Sequence, residues 1–187
     1  CINSRIINLI QTEEKTYFSI NIALNDEDKL HYPTEFLNSI VCPGLPQHEL
    51  IVKIGVPIML LRNLNPPMLC NGTRLRVKSM HNNLIEAEIL TGCGVGETVY
   101  LPRVPIIPSN YPFQFKRIQF PVSVCYAMTI NKSQGQTFKT AGIDLTDKCF
   151  SHGQLYVACS RVSSPKNVFI TCTDGETANV VYTDILK

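Results

Sequence analysis

The chain has 187 residues, 44% of them hydrophobic and 17% charged, a globular balance that argues against wholesale disorder. Its longest apolar runs, VPIMLL and LIVKIGV, are too short to span a bilayer, and no charged-then-apolar leader opens it. The formal net charge is only +2, but it is unevenly spread: residues 1–49 carry three Lys or Arg against seven Asp or Glu, and residues 50–140 carry ten against three. A basic middle suits a polyanionic partner, and equally a solvated β-rich surface. The eight cysteines are scattered, with no CxxC pair and no histidine at zinc-ligand spacing. They are expected to be free intracellular thiols, and no metal site is expected.

In chain order, INSRIINLI places Ile2, Ile6, Leu9 and Ile10 on one face of a helix. Because that pattern begins abruptly at Cys1, the chain reads as part of something longer. TYFSINIAL is predicted as a strand and NDEDK as an acidic loop. Pro33 is placed to start a short helix through TEFLNSI. From Leu50 the texture turns to short strands: LIVKIGVPIMLL, TRLRVKSM after the Asn71-Gly72 turn, LIEAEIL, and TVYLPRV. Five short strands in about seventy residues suit a small barrel. RIQFPVSVCYAMTI then reads as one long buried strand running into a polar loop, NKSQGQT. TAGIDL, HGQLYVACSRV and NVFITCT follow as strand, helix and strand, with Leu155, Cys159 and Val162 on one helical face. The whole is an α/β domain split by a small β insertion.

Two segments can carry chemistry. AMTINKSQGQTF gathers Thr129, Asn131, Lys132, Ser133, Gln134, Gln136 and Thr137 around Gly135, and on this reading lies beyond the carboxyl end of a sheet strand, where such folds bind ligands. An ordinary polar surface loop would have the same composition. In QLYVACSRV, Arg161 stands near the end of a short helix just before SSP breaks it. From such a position a guanidinium can stabilise charge on a transferring phosphoryl group, although a lone helical arginine is commonly only a surface residue.

TINKSQGQT resembles motif V of superfamily 1B helicases, T-[IV]-H-K-[SA]-Q-G, and QLYVACSR resembles motif VI, Y-V-A-x-S-R, which carries the arginine finger. YPTEFLNSI, PGLPQHEL, KIGVPIMLLRNLNP and LCNGTRL resemble the linked signature blocks of Pif-family helicases, especially the Helitron-transposon branch. Together these blocks run in order over nearly the whole chain. The resemblance implies the second RecA-like domain of a P-loop helicase (residues 1–48 and 120–187) interrupted by an SH3-like β insertion (residues 49–119). It also implies ATP hydrolysis coupled to 5′-to-3′ movement on single-stranded DNA, in repair, recombination, telomere maintenance or transposition, in the nucleus or mitochondrion.

Carried over by position, Arg161 would be catalytic and reach the γ-phosphate of ATP, and Gln134 and Gly135 would line the same cleft. Thr129, Asn131, Lys132 and Ser133 would face the DNA. Arg62, Asn63 and the Asn71-Gly72 turn match family blocks, the turn chiefly as structure. Two departures stand out: Asn131 replaces the usual histidine, and Pro67-Met68 precede Leu69 where a glycine is common. No G-x-x-x-x-G-K-[ST] occurs. Phosphate and Mg2+ ligands are therefore expected from an upstream RecA-like domain, which would be this chain's partner beside single-stranded DNA, and the chain alone is expected to be inactive. The rival reading is a non-catalytic nucleic-acid-binding module derived from a transposon helicase. No membrane partner is expected, and no oligomeric state is legible.

Overall fold

The structure, a computed structural model, describes residues 2–109, 111–173 and 175–183. Cys1, where the opening helical pattern begins, and Asn110, in the PIIPSNYP stretch, lie outside the described residues. The chain divides into two compact units, residues 1–127 and 128–187.

The first unit opens with α1 (Ile2–Leu9), in which Ile7 is the buried residue. Ile2 and Leu9, expected to face inward, are exposed. The reason is polar. Asn3 donates to the carbonyls of Val124 and Ala127 at 3.1 and 2.8 Å and accepts from the Ala127 amide at 2.7 Å. That turns the Asn3–Ile7 face inward, because residues i and i+4 share a helical face.

The expected TYFSINIAL strand divides into β1 (Glu14–Phe18) and β2 (Ile20–Ala23), which pair with different strands. The acidic segment expected as a loop contains a short helix, α2 (Asp26–His31). Next comes α3 (Thr34–Ser39), with Pro33 as its N-cap residue rather than its first turn.

The β-rich middle comprises β3 (Glu49–Lys53), β4 (Pro57–Leu60), β5 (Arg74–Met80), β6 (Leu84–Ile89), β7 (Thr98–Pro102), β8 (Val104–Ile106), β9 (Phe115–Gln119) and β10 (Val122–Val124). Five of these form an antiparallel sheet in the order β10-β4-β5-β6-β7, while β1 pairs with β3 and a third sheet runs β2-β9-β8. Period-two alternation in β5, β6 and β7 sends Leu75, Val77, Ile85, Ala87, Ile89, Val99 and Leu101 into one core. Tyr17, Val52, Phe120 and Val122 complete that core from neighbouring strands. Between β4 and β5, Gly72 takes φ +90° and donates its amide to Leu60, while Asn63 accepts from the Asn71 amide at 2.7 Å. In this unit the Asn-Gly signal therefore has a structural use.

RIQFPVSVCYAMTI is not one strand. It breaks at Phe120-Pro121, with β9 in one sheet and β10 in another. Proline has no N–H to continue a ladder. Arg117 of β9 is wholly buried, yet among the described residues no carboxylate meets it. Its guanidinium donates to Asn21 Oδ1 (2.8 Å) and to the carbonyls of Leu37 (2.6 Å), Ile40 (3.1 Å) and Pro46 (2.9 Å). One planar donor fork thus ties β9 to β2, α3 and the CPGLP segment. Burial pushes its pKa down, partly opposed by the nearby Cys42 and Tyr111.

The second unit contains β11 (Ala141–Asp144), α4 (Gln154–Cys159) and β12 (Val168–Thr171), the strand, helix and strand read from the sequence. The two strands pair in parallel, Ala141 with Val168 through Asp144 with Thr171. A small core of Ile143, Leu145, Cys149 and Ala158 holds the unit together. α4 packs through Ala158 and Leu155, whereas Cys159 is exposed and Val162 lies beyond the helix.

Candidate nucleotide- and DNA-facing site

The polar segment read as chemically interesting begins the second unit. It follows β10 and irregular backbone, so it does not extend from the carboxyl end of a parallel strand as expected. Ile130–Ser133 form a single 3-10 turn, with Thr129 before it in extended backbone. The Thr129 carbonyl accepts from the amides of Lys132 and Ser133 at 3.0 and 3.3 Å, closing the turn.

That closure leaves the side chains of Thr129, Asn131 and Lys132 exposed at the surface. Ser133, the fourth residue expected to face DNA, is buried, and its hydroxyl donates to the Ile130 carbonyl at 2.7 Å. It fastens the turn, and the remaining three form the exposed polar group. Gln134 and Gly135 are also exposed. Gly135 adopts φ +76°, a left-handed conformation that a side chain disfavours, although a Cβ there would meet nothing within 4 Å.

From Gly135 the backbone turns back towards the end of α4. Phe138 donates its amide to the Arg161 carbonyl at 2.8 Å and forms a parallel bridge with Val162. Arg161 itself is half-buried. Its Nε donates to the Val157 carbonyl at 2.8 Å, one terminal nitrogen to the Gln136 carbonyl at 3.2 Å, and the other to Ser160 Oγ at 2.8 Å. The two segments singled out in the sequence, 25 residues apart, are thus joined within one unit, and the guanidinium is the joint. The sequence marked Gln136 only as one of the polar residues gathered around Gly135, but its Nε2 donates to the Lys132 carbonyl at 3.0 Å while its own carbonyl receives Arg161. Only the i, i+4 spacing from Lys132 hinted at that bond.

Asp144, at the end of β11, accepts from the Thr146 amide and hydroxyl, and these hydrogen bonds hold its carboxyl below the usual range. Among the described residues, no three His, Cys, Asp or Glu side chains gather to hold a metal ion. No helix of the described residues is long and apolar enough to cross a membrane.

Residues 35–80 match the DNA helicase Pif1 2B domain. The ATP-dependent DNA helicase PIF6 of Trypanosoma brucei brucei is 31% identical over 134 residues, covering 68% of this chain and 17% of that protein. Human ATP-dependent DNA helicase PIF1 is 34% identical over 117 residues, covering 60% and 18%. In fold, 99% of the chain superposes on 40% of Pif1 helicase from Bacteroides, crystallised with ADP-AlF3 and ssDNA, with a TM-score of 0.73 at 23% identity. The chain thus spans less than a fifth of the length of these curated relatives, and it shares the mixed α/β, RecA-like helicase fold of the solved one. By sequence and by fold, the chain is a partial homologue of the Pif1 DNA helicases.

Proposed function

We propose that this chain is the arginine-finger half of an ATP-driven motor that moves 5′ to 3′ along single-stranded DNA. The observation that carries the reading is the fastening of Arg161 to the 134–138 segment. A group meant for a nucleotide and a turn meant for a DNA strand are built as one piece. Thr129, Asn131 and Lys132 are exposed and polar, and suit sugar-phosphate oxygens without reading sequence. Ser133 supports them from below. Asn131 can donate a hydrogen bond but cannot acquire the charge a histidine could, so its grip should vary little with pH.

Two of the three guanidinium nitrogens of Arg161 carry a second hydrogen each, so the group can meet a phosphate oxygen while part of its present bonding persists. Gln134 and Gly135 would approach the nucleotide from the adjoining turn. ATP therefore fits the donor set, whereas Mg2+ does not, because the described residues bring no acidic cluster together. The ion's ligands and the phosphate-binding lysine are assigned to an upstream RecA-like domain, and this chain alone should not turn over ATP. We read residues 1–48 and 120–187 as the second RecA-like domain and 49–119 as an SH3-like insertion.

The test is ATPase activity stimulated by single-stranded DNA, measured on the longer protein that carries this chain. Arg161→Ala is expected to lower kcat by about 10³-fold or more, the range found for arginine fingers, with DNA affinity nearly unchanged. An Arg161→Ala protein that still hydrolyses ATP at the parent rate removes Arg161 from the chemistry. A parent protein that binds DNA but never hydrolyses ATP favours a binding module instead.

A further inference from the structure

Gln136 is bonded to both segments of the candidate site, by its side chain to one and by its backbone to the other. Its amide nitrogen donates to the Lys132 carbonyl at 3.0 Å, and its backbone carbonyl accepts from Arg161 at 3.2 Å. Its backbone amide is also engaged, donating to Ser133 at 3.0 Å. One residue therefore holds both ends of a short path: exposed Lys132, the Gln136 side chain, the Gln136 carbonyl, the Arg161 guanidinium.

The path has few alternatives. Gly135 at φ +76° sets the direction in which Gln136 leaves the turn. The Phe138–Arg161 amide bond and the Phe138–Val162 bridge fix where the segment ends. Between these anchors, the Gln136 side chain ties its own backbone to the turn carrying Lys132. The Gln136 side-chain oxygen is buried without a hydrogen-bond partner.

We propose that Gln136 is a positioning residue that carries the state of the DNA-facing turn to Arg161, so that strand contact at Lys132 sets whether the guanidinium is held back by its own chain or freed towards phosphate. The inference rests on the reading of Arg161 and Lys132 given above. All three guanidinium nitrogens are engaged, by Val157, Gln136 and Ser160. A strand that pulls on the Lys132 backbone strains the Gln136 amide bond, moves the carbonyl behind it and releases one guanidinium nitrogen. No covalent step is involved.

The experiment compares the longer protein with its Gln136→Met variant. Methionine keeps the length of glutamine and removes the donor to Lys132, at a bond exposed enough for water to meet the freed carbonyl. The ratio of DNA-saturated to DNA-free ATPase rate is expected to fall about tenfold, the scale of one lost hydrogen bond. The concentration of oligo-dT giving half-maximal stimulation should stay within about twofold, since no strand contact is removed. Gln136→Leu serves as a second variant should the first not fold, with the same expectation.

An unchanged ratio overturns the proposal. A parallel loss of DNA affinity and rate overturns it as well, because that is simple collapse of the turn. Arg161→Ala, run alongside, separates the two readings. If it leaves turnover intact, the arginine-finger assignment has failed; if it abolishes turnover while Gln136→Met keeps its full ratio, only the relay has failed.

Discussion

The β-rich region of the first unit and the motif-bearing turn of the second are held by different forces. In the first, Leu75, Ile85, Ala87, Ile89 and Leu101 have no exposed surface, and five antiparallel strands surround them. In the second, a four-residue turn, a six-residue helix and two paired strands leave Phe150, Tyr156 and Phe169 more than 60% exposed. Apolar packing holds the one region, while the placement of Arg161 depends on single hydrogen bonds to its own chain. Groups that must shift during a cycle are suited to the less deeply packed part of a fold.

The contrast is broken most severely at Arg117. Replacing it with leucine strands the three carbonyls it serves, and the chain should lose roughly 3–5 kcal/mol in urea unfolding. Arg117→Lys should recover only part of this, because one ammonium cannot reproduce the fork. A variant within 1 kcal/mol of the parent would show those carbonyls to be satisfied in some other way. Leu75→Ala, in the sheet core, should cost about 3 kcal/mol by the same measurement.

A change in the second unit should cost less. Gly135→Ala places a side chain in left-handed backbone but meets no neighbouring atom, so the penalty is conformational alone, about 1 kcal/mol. The comparison would lose its force if Gly135→Ala cost as much as Leu75→Ala.

Thiol labelling sharpens the comparison without altering stability. Exposed Cys93 and Cys159 should react with a maleimide within minutes at neutral pH. Cys125, 1% exposed and with its thiol pKa raised chiefly by burial, should react only as fast as its region opens. Early labelling of Cys125 would mean that the strand pairing around β10 opens easily.

The smallest expected effect is electrostatic. Asp144 has its pKa lowered in the folded chain by the hydrogen bonds from Thr146. Its contribution to stability is present above the unfolded carboxylate value, near 3.9, and is lost as pH falls through the lower folded value. Thr146→Val should move the Asp144 titration upward in a carbon-detected NMR experiment. A midpoint that does not move would assign the shift to another cause.

Much of the local structure was legible in the residues. Alternation marked β5, β6 and β7, Asn71-Gly72 marked the turn before β5, and the TAGIDL, QLYVAC and NVFIT segments became β11, α4 and β12. Each signal depends on the geometry of a few neighbouring residues, whatever the rest of the chain does. The segments carrying the motif V and motif VI resemblances were likewise found from their order along the chain.

Tertiary structure decided the rest. It split the apolar run at Pro121 between two sheets, turned α1 about Asn3, buried Arg117 among carbonyls, and drew Ser133 inward. It also joined Gln136 to both Lys132 and Arg161. Most of these outcomes rest on backbone carbonyls, which every residue possesses and no sequence pattern marks. Which carbonyl meets which donor is settled only when distant segments pack, as when Arg117 reaches back 71 to 80 residues for its acceptors.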